Sequence, residues 1–393
     1  MIEFIDRQLA TTLRDAASYF SVICLTGPRQ SGKSTLTCRL FEEYHRVSLE
    51  NPDIRMSAAA DPMAFLNQTN GGLIIDEIQR LPMLLEYIQS IVDAHPERRF
   101  VLTGSSNFML LKNVTESLAG RAGVFDLLPL SLMELRQAGI LPAIDMLDET
   151  MVGGLYPAVC AGKNISRFLY PAYLRTYLDR DVRQIVNVGN ISQFHTFLRL
   201  CAGRIGSLFN ASELANEVGV SSNTINSWLN VLEASYIIFR LRPWSENTRK
   251  RLVKSQKIYF CDTGLACYLL DIETAAQLSR DKMRGHLFEN LVIAEALKKR
   301  LNDGREPNMF FFRDAKGNEI DLLTLHGGML SAYEIKSSAT YSTDFEKTLR
   351  NAATLINTPV VQRTVIYGGD YQNAAGDIRI TNWREMTFPL CWD

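Results

Sequence analysis

Residues 25–36 read LTGPRQSGKSTL. Gly27, Gly32, Lys33 and Ser34 stand there in the spacing G-x4-G-K-[ST], directly after an apolar run and ahead of a helical stretch. Gly27, Pro28, Arg29, Gln30, Ser31, Gly32, Lys33, Ser34 and Thr35 therefore read as a phosphate cradle. Its backbone N–H groups and the helix start wrap the phosphates, Lys33 neutralises β/γ oxygens, and Ser34 ligates Mg2+. The expected ligands are ATP and Mg2+.

Three later stretches extend this reading. LIIDE (73–77) ends a second apolar run in acid, which predicts that Asp76 holds Mg2+ and that Glu77 either polarises the attacking water or serves as a helix N-cap carboxylate. VLTGSSN (101–107) closes the next strand in small polar groups. Ser105 or Asn107 there reaches the γ-phosphate or the water, or else the segment is a plain Gly-Ser turn. Arg121 stands just before a fifth strand, where it serves either as an arginine finger toward a neighbouring subunit or as a surface arginine.

The chain has 393 residues, 46% hydrophobic and 22% charged, enough for several domains with their own cores. The formal net charge of −1 provides no global basic field, so any nucleic-acid contact has to come from a local patch. The seven cysteines are scattered without C-x2-C pairs, and the N-terminus lacks an apolar signal region, which predicts reduced thiols and a cytoplasmic location. Nothing approaches the ~20 apolar residues of a membrane span.

Alternating strand-like and helical runs predict an α/β fold with a parallel sheet over 1–131. Residues 132–190 turn helical, with Leu174, Tyr177, Leu178 and Val182 recurring at helix spacing, as a helical lid would. Residues 191–255 predict a winged helix-turn-helix: a Gly219 turn precedes a helix with Ile225, Trp228, Leu229 and Leu232 inward. Ser222, Asn223, Asn226, Ser227 and Asn230 face outward on that helix. Beyond it, Arg242, Arg249, Lys250, Arg251, Lys254 and Lys257 either offer charge to DNA phosphates or form a solvated face beside a packing module. Residues 256–393 form a separate α/β unit.

TGPRQSGKSTL, IIDEIQRLP, VLTGSS and SLAGRAGVFDLLPLSLMEL together resemble AAA+ superfamily ATPases that carry a domain of unknown function after the ATPase. RTYLDRDVRQI, IYFCDTGLACYLL, FRDAKGNEIDLL and AYEIKSS resemble that C-terminal region. The resemblance implies an ATPase core, a winged helix and a nuclease-like end. Within that end Glu289, Asp321, Glu334 and Lys336 resemble the PD-(D/E)XK constellation of a restriction-endonuclease-like domain. There Asp321 and Glu334 hold a divalent metal and Lys336 stabilises the attacking hydroxide. A hairpin turning at HGGM would set Asp321 opposite Glu334, although E-x-K on a strand also suits an ordinary salt-bridged edge. His286 is a metal neighbour or a structural histidine, and Cys261 and Cys267 read as buried structural thiols.

The expectation is a Mg2+-dependent ATPase acting on DNA as a homo-oligomer, with a ring as one form and no membrane partner. Two other readings stand beside it. One is a nucleotide-dependent switch with inert docking modules; the other is a nuclease licensed by ATP.

Overall fold

The computed structural model describes residues 4–69, 71–104, 117–162, 165–177, 191–245 and 255–389. The chain divides into two compact units. The first holds residues 1–130, 234–236 and 301–305; the second holds 131–233, 237–300 and 306–393.

In the first unit β1 (Val22–Thr26), β2 (His45–Ser48), β3 (Leu73–Asp76), β4 (Phe100–Thr103) and β5 (Ala122–Asp126) form one sheet. Its order is β2-β3-β4-β1-β5 and every pair is parallel. Such a sheet is covered on both faces, so its inner strands read as unbroken apolar runs, and β1, β3 and β4 are buried throughout. Val22, Cys24, Ile75 and Leu102 pack on one side with Ile88 and Ile91 of the helix Leu84–Ala94. Ile23, Leu25, Ile74 and Val101 pack on the other with Leu9 and Leu13 of the helix Leu9–Tyr19. The apolar runs that end at Thr26, Asp76 and Thr103 are β1, β3 and β4.

The second unit opens with short helices, Leu132–Gln137, Leu147–Gly153, Pro157–Cys160 and Ser166–Tyr177. Ser131 and Glu134 close a capping box on the first of these, and the buried Glu295 accepts the Leu132 N–H at 2.7 Å. Leu178 and Val182, expected on a lid helix, lie outside the described residues. Farther on, the helices Ala211–Val218 and Ser222–Ala234 meet at Gly219, whose φ of 76° ends the first of them. Ile225, Trp228, Leu229 and Leu232 are buried as expected, and Trp228 packs on Phe194 and Phe197.

A seven-stranded mixed sheet follows, built from β6 (Ile238–Pro243), β7 (Lys257–Phe260), β8 (Met309–Arg313), β9 (Glu319–His326), β10 (Met329–Lys336), β11 (Val360–Tyr367) and β12 (Arg379–Asn382). Its order is β12-β11-β10-β9-β8-β6-β7. The domain boundary expected at 255/256 falls between β6 and β7, which pair antiparallel, and β6 also pairs parallel with β8. The β6–β7 pair thus lies in the same sheet as β8 to β12. Local patterning does not disclose this, because the pairing of Arg242 with Phe310 joins residues far apart in sequence. Among the described residues no helix is long and apolar enough to cross a membrane.

Candidate functional site

The sheet order of the first unit brings the carboxyl ends of β1, β3 and β4 side by side, where open α/β sheets carry ligands. The chain leaves β1 at Thr26 and turns through Gly27, whose φ is 145°. A Cβ on Gly27 would lie 2.3 Å from the Leu127 carbonyl oxygen, so both the backbone angle and the space demand glycine. Gln30 and Gly32 also take left-handed angles, and the helix Lys33–Leu40 begins at once. Its amino end and the loop N–H groups form the expected cradle.

Lys33 is buried and arches back over the loop, donating to the carbonyls of Gly27 and Pro28 at 2.8 Å each. The Ser34 hydroxyl donates to Asp76 Oδ2 at 2.9 Å. This joins the two groups expected to hold Mg2+, a hard cation that favours oxygen ligands, so the residues present fit the ion. Asp76 is further held by Thr103, through Oδ1, and by Arg46 at 3.2 Å. Sequence reading missed both partners. Thr103 ends the neighbouring β4 and Arg46 lies in β2, and a sheet register is needed to bring them to Asp76.

Glu77 follows Asp76 with φ 60° and ψ 43°, a left-handed conformation that a glutamate adopts only under local constraint. Gln79 donates to Glu77 Oε2 at 2.6 Å. Burial raises the Glu77 pKa, with Lys33 and Arg29 opposing and Asp76 and Glu50 reinforcing the shift. A carboxylate moved toward neutrality beside a phosphate cradle suits proton abstraction from water.

Ser105 and Asn107 lie outside the described residues, although β4 does run beside β3, as their assignment requires. Arg121 precedes β5, as expected. Because Ala122 is in register with Val22, Arg121 stands at the end of the sheet opposite the phosphate loop of its own chain. There it pairs twice with Asp93, at 2.5 and 2.8 Å.

In the second unit the turn at Gly327–Gly328, with φ of 55° and 80°, closes the β9–β10 hairpin. Leu322 is in register with Tyr333, so Asp321 and Glu334 stand one step on, opposite each other as expected. Asp321 accepts the Ile335 N–H at 2.8 Å. Lys336 Nζ lies 2.6 Å from Glu334 and 3.7 Å from Asp321. Glu334 is buried and its Oε2 makes no hydrogen bond. Desolvation first and Asp321 second push the Glu334 pKa up to about 8.

Glu289, on the helix Arg284–Asn302, is held by Tyr259 at 2.5 Å and by Lys257 at 3.2 Å. Burial and Asp321 raise its pKa to about 7. Lys257 is 2% exposed and also pairs with Glu319 at 2.5 Å. The expectation that Lys257 grips a phosphate is thereby corrected: facing inward from β7, it neutralises two carboxylates. His286 Nδ1 is buried without a partner, and its pKa is lowered by burial and then by Lys257. Among the described residues no three His, Cys, Asp or Glu side chains converge as a metal-holding group. Cys261 and Cys267 are buried, as expected.

Of the polar helix face, Asn223, Asn226, Ser227 and Asn230 are exposed and Ser222 is half-buried. Arg242 is exposed on β6, whereas Arg249, Lys250, Arg251 and Lys254 lie outside the described residues.

The parallel sheet, the glycine-rich loop and the Ser34–Asp76 pair define an AAA-type P-loop ATPase domain, and residues 19–136 match the AAA domain family. Residues 144–276 and 284–386 match two domains of unknown function, DUF8612 and DUF4143. The chain belongs to the family of the uncharacterized protein Rv2008c of Mycobacterium tuberculosis, to which it is 32% identical over 377 residues, 94% of this chain and 82% of that protein. The uncharacterized protein MJ1544 of Methanocaldococcus jannaschii is 24% identical over 326 residues, 76% of this chain and 70% of that protein. Among solved structures, the Walker-type ATPase PABY2304 of Pyrococcus abyssi is 15% identical with a TM-score of 0.47, covering 68% of this chain and 96% of that one.

Proposed function

We propose that the protein is a Mg2+-dependent ATPase that spends ATP on binding, remodelling or translocating DNA. The hydrogen bond from Ser34 to Asp76, with Glu77 next in the chain, carries the ATP part of this reading. Lys33 withdraws charge from the β/γ-phosphates, Ser34 and Asp76 hold Mg2+, and Glu77 accepts a proton from the attacking water. Bound Mg2+ supplies charge neutralisation at the phosphates.

The DNA part rests on the exposed Asn and Ser face of the helix Ser222–Ala234 and on exposed Arg242. Those groups hydrogen-bond bases and phosphates without reading sequence strongly. Two arrangements accompany this reading, a homo-oligomer or ring in which Arg121 meets a neighbour's phosphate, and a cytoplasmic location. Stimulation of phosphate release by single-stranded, duplex or branched DNA tests the DNA part. A Glu77-dependent rate that no DNA alters favours the nucleotide switch instead.

A second reading concerns Asp321, Glu334 and Lys336 as a metal-dependent site for phosphodiester cleavage, with Glu289 behind them. The unpartnered Oε2 of the buried Glu334 supports it, since a buried polar atom without a partner calls for a ligand. Incubation with Mg2+ or Mn2+ and linear or branched DNA, comparing Asp321→Ala, tests it. Absence of cleavage, or cleavage that the substitution leaves intact, sinks it.

A further inference from the structure

Three oxygens meet behind the phosphate loop. The Thr26 hydroxyl lies 2.5 Å from Asp126 Oδ1, the Tyr236 hydroxyl lies 2.5 Å from the same oxygen, and the two hydroxyls are 2.7 Å apart. Thr26 is the residue before Gly27 and is fully buried; Tyr236 is 7% exposed. Tyr236 also has φ 58°, a left-handed angle that is a genuine outlier for a bulky side chain and persists only where surrounding contacts enforce it.

The rest of the loop is fixed to the same stretch of chain. Leu127 donates its N–H to the Thr26 carbonyl at 2.8 Å, and Gly27 abuts the Leu127 carbonyl. On the loop's far side the buried Arg7 donates to the carbonyls of Ser31 at 2.7 Å and Leu128 at 2.6 Å. The loop is therefore clamped at its root and at its middle. Tyr236, which is remote in sequence from every other member of this set, holds the root through a side-chain hydroxyl.

We infer that Tyr236 is a positioning residue for the phosphate loop: with Asp126 it fixes Thr26, so that the loop meets a nucleotide already ordered. The inference rests on the nucleotide-binding reading of the loop. A preorganised loop loses less freedom on binding, so removing the hydroxyl acts on affinity before it acts on turnover.

The test is ATP and ADP binding, and the split between KM and kcat, in the full chain and in Tyr236→Phe, with melting temperature measured alongside. One charge-assisted hydrogen bond corresponds to roughly tenfold in binding. Tyr236→Phe is expected to weaken ATP and ADP about equally by that factor and to raise KM more than it lowers kcat. Asp126→Asn and Thr26→Val act on the same contact, so combining either with Tyr236→Phe gives less than the product of the single effects. They also provide the comparison if Tyr236→Phe folds poorly. Wild-type affinity in Tyr236→Phe, or a lowered melting temperature with KM unmoved, overturns the inference while leaving the nucleotide reading intact. Wild-type protein that binds neither nucleotide overturns both.

Discussion

The Ser34 hydroxyl donates to Asp76 Oδ2 at 2.9 Å, linking the first turn after the phosphate loop to the end of β3.

Thr103 occupies the other oxygen of the buried Asp76. Thr103→Val keeps the side-chain shape and leaves that oxygen without its partner, at a cost of about 1–3 kcal/mol. Phosphate release by Thr103→Val is expected to fall about tenfold or more and to need more Mg2+ for half-maximal rate. Unchanged Mg2+ dependence contradicts a role for Thr103 in holding Asp76.

Gly27→Ala places a methyl 2.3 Å from the backbone oxygen of Leu127 at a φ of 145°. Neither the carbonyl nor the angle yields cheaply, so the loop has to shift. The variant is expected to fold with lowered stability and to lose nucleotide binding, read by fluorescent-nucleotide titration beside a thermal melt. Binding at wild-type affinity means the loop does not close as described.

Glu77 has to be ionised to accept a proton, and burial raises its pKa. Activity therefore rises with pH through a limb above the ordinary carboxylate value of 4.5. The hydrogen bond from Gln79 favours the charged form. Gln79→Leu is expected to move this acid limb upward, visible in the pH profile of kcat. A limb that stays in place assigns the base elsewhere.

In the second unit the pKa values of Glu289 and Glu334 rise from 4.5 to about 7 and about 8. Between those values the folded state binds more protons than the unfolded one, so stability falls as pH rises. The full contribution is present below the unfolded value of 4.5 and is lost by about 8. Thermal melts across this window are expected to slope downward, less steeply in Glu334→Gln. Equal slopes in the two proteins refute the assignment.

Lys257 neutralises Glu289 and Glu319 from a buried position. Lys257→Met removes the buried cation shared by the largely enclosed Glu289 and the partly exposed Glu319 and is expected to cost about 3–5 kcal/mol in chemical denaturation. A loss below about 1 kcal/mol, the range of surface pairs, contradicts this role.

Much of the first unit was legible because the phosphate loop needs Gly27, Gly32, Lys33 and Ser34 in sequence, and because parallel strands show themselves as apolar runs. Thr103, Arg46, Arg7 and Tyr236 were not legible, since each reaches the loop or Asp76 through tertiary contacts that leave no local spacing. In the second unit Asp321 and Glu334 were placed correctly because a two-glycine hairpin fixes register. Lys257 was misread as surface charge because it follows a basic run, and only its position on β7 turns it inward. The β6–β8 pairing was hidden for the same reason as the Tyr236 contact: sequence pattern does not encode which distant strand becomes a neighbour.

The most direct test of the central claim is phosphate release by the wild type and by Glu77→Gln, with and without single-stranded, duplex and branched DNA at moderate salt. The account predicts a rate that Glu77→Gln abolishes and that at least one DNA raises several-fold. A Glu77-dependent rate indifferent to every DNA contradicts the coupling to nucleic acid, and a rate that survives Glu77→Gln contradicts the assignment of the catalytic base.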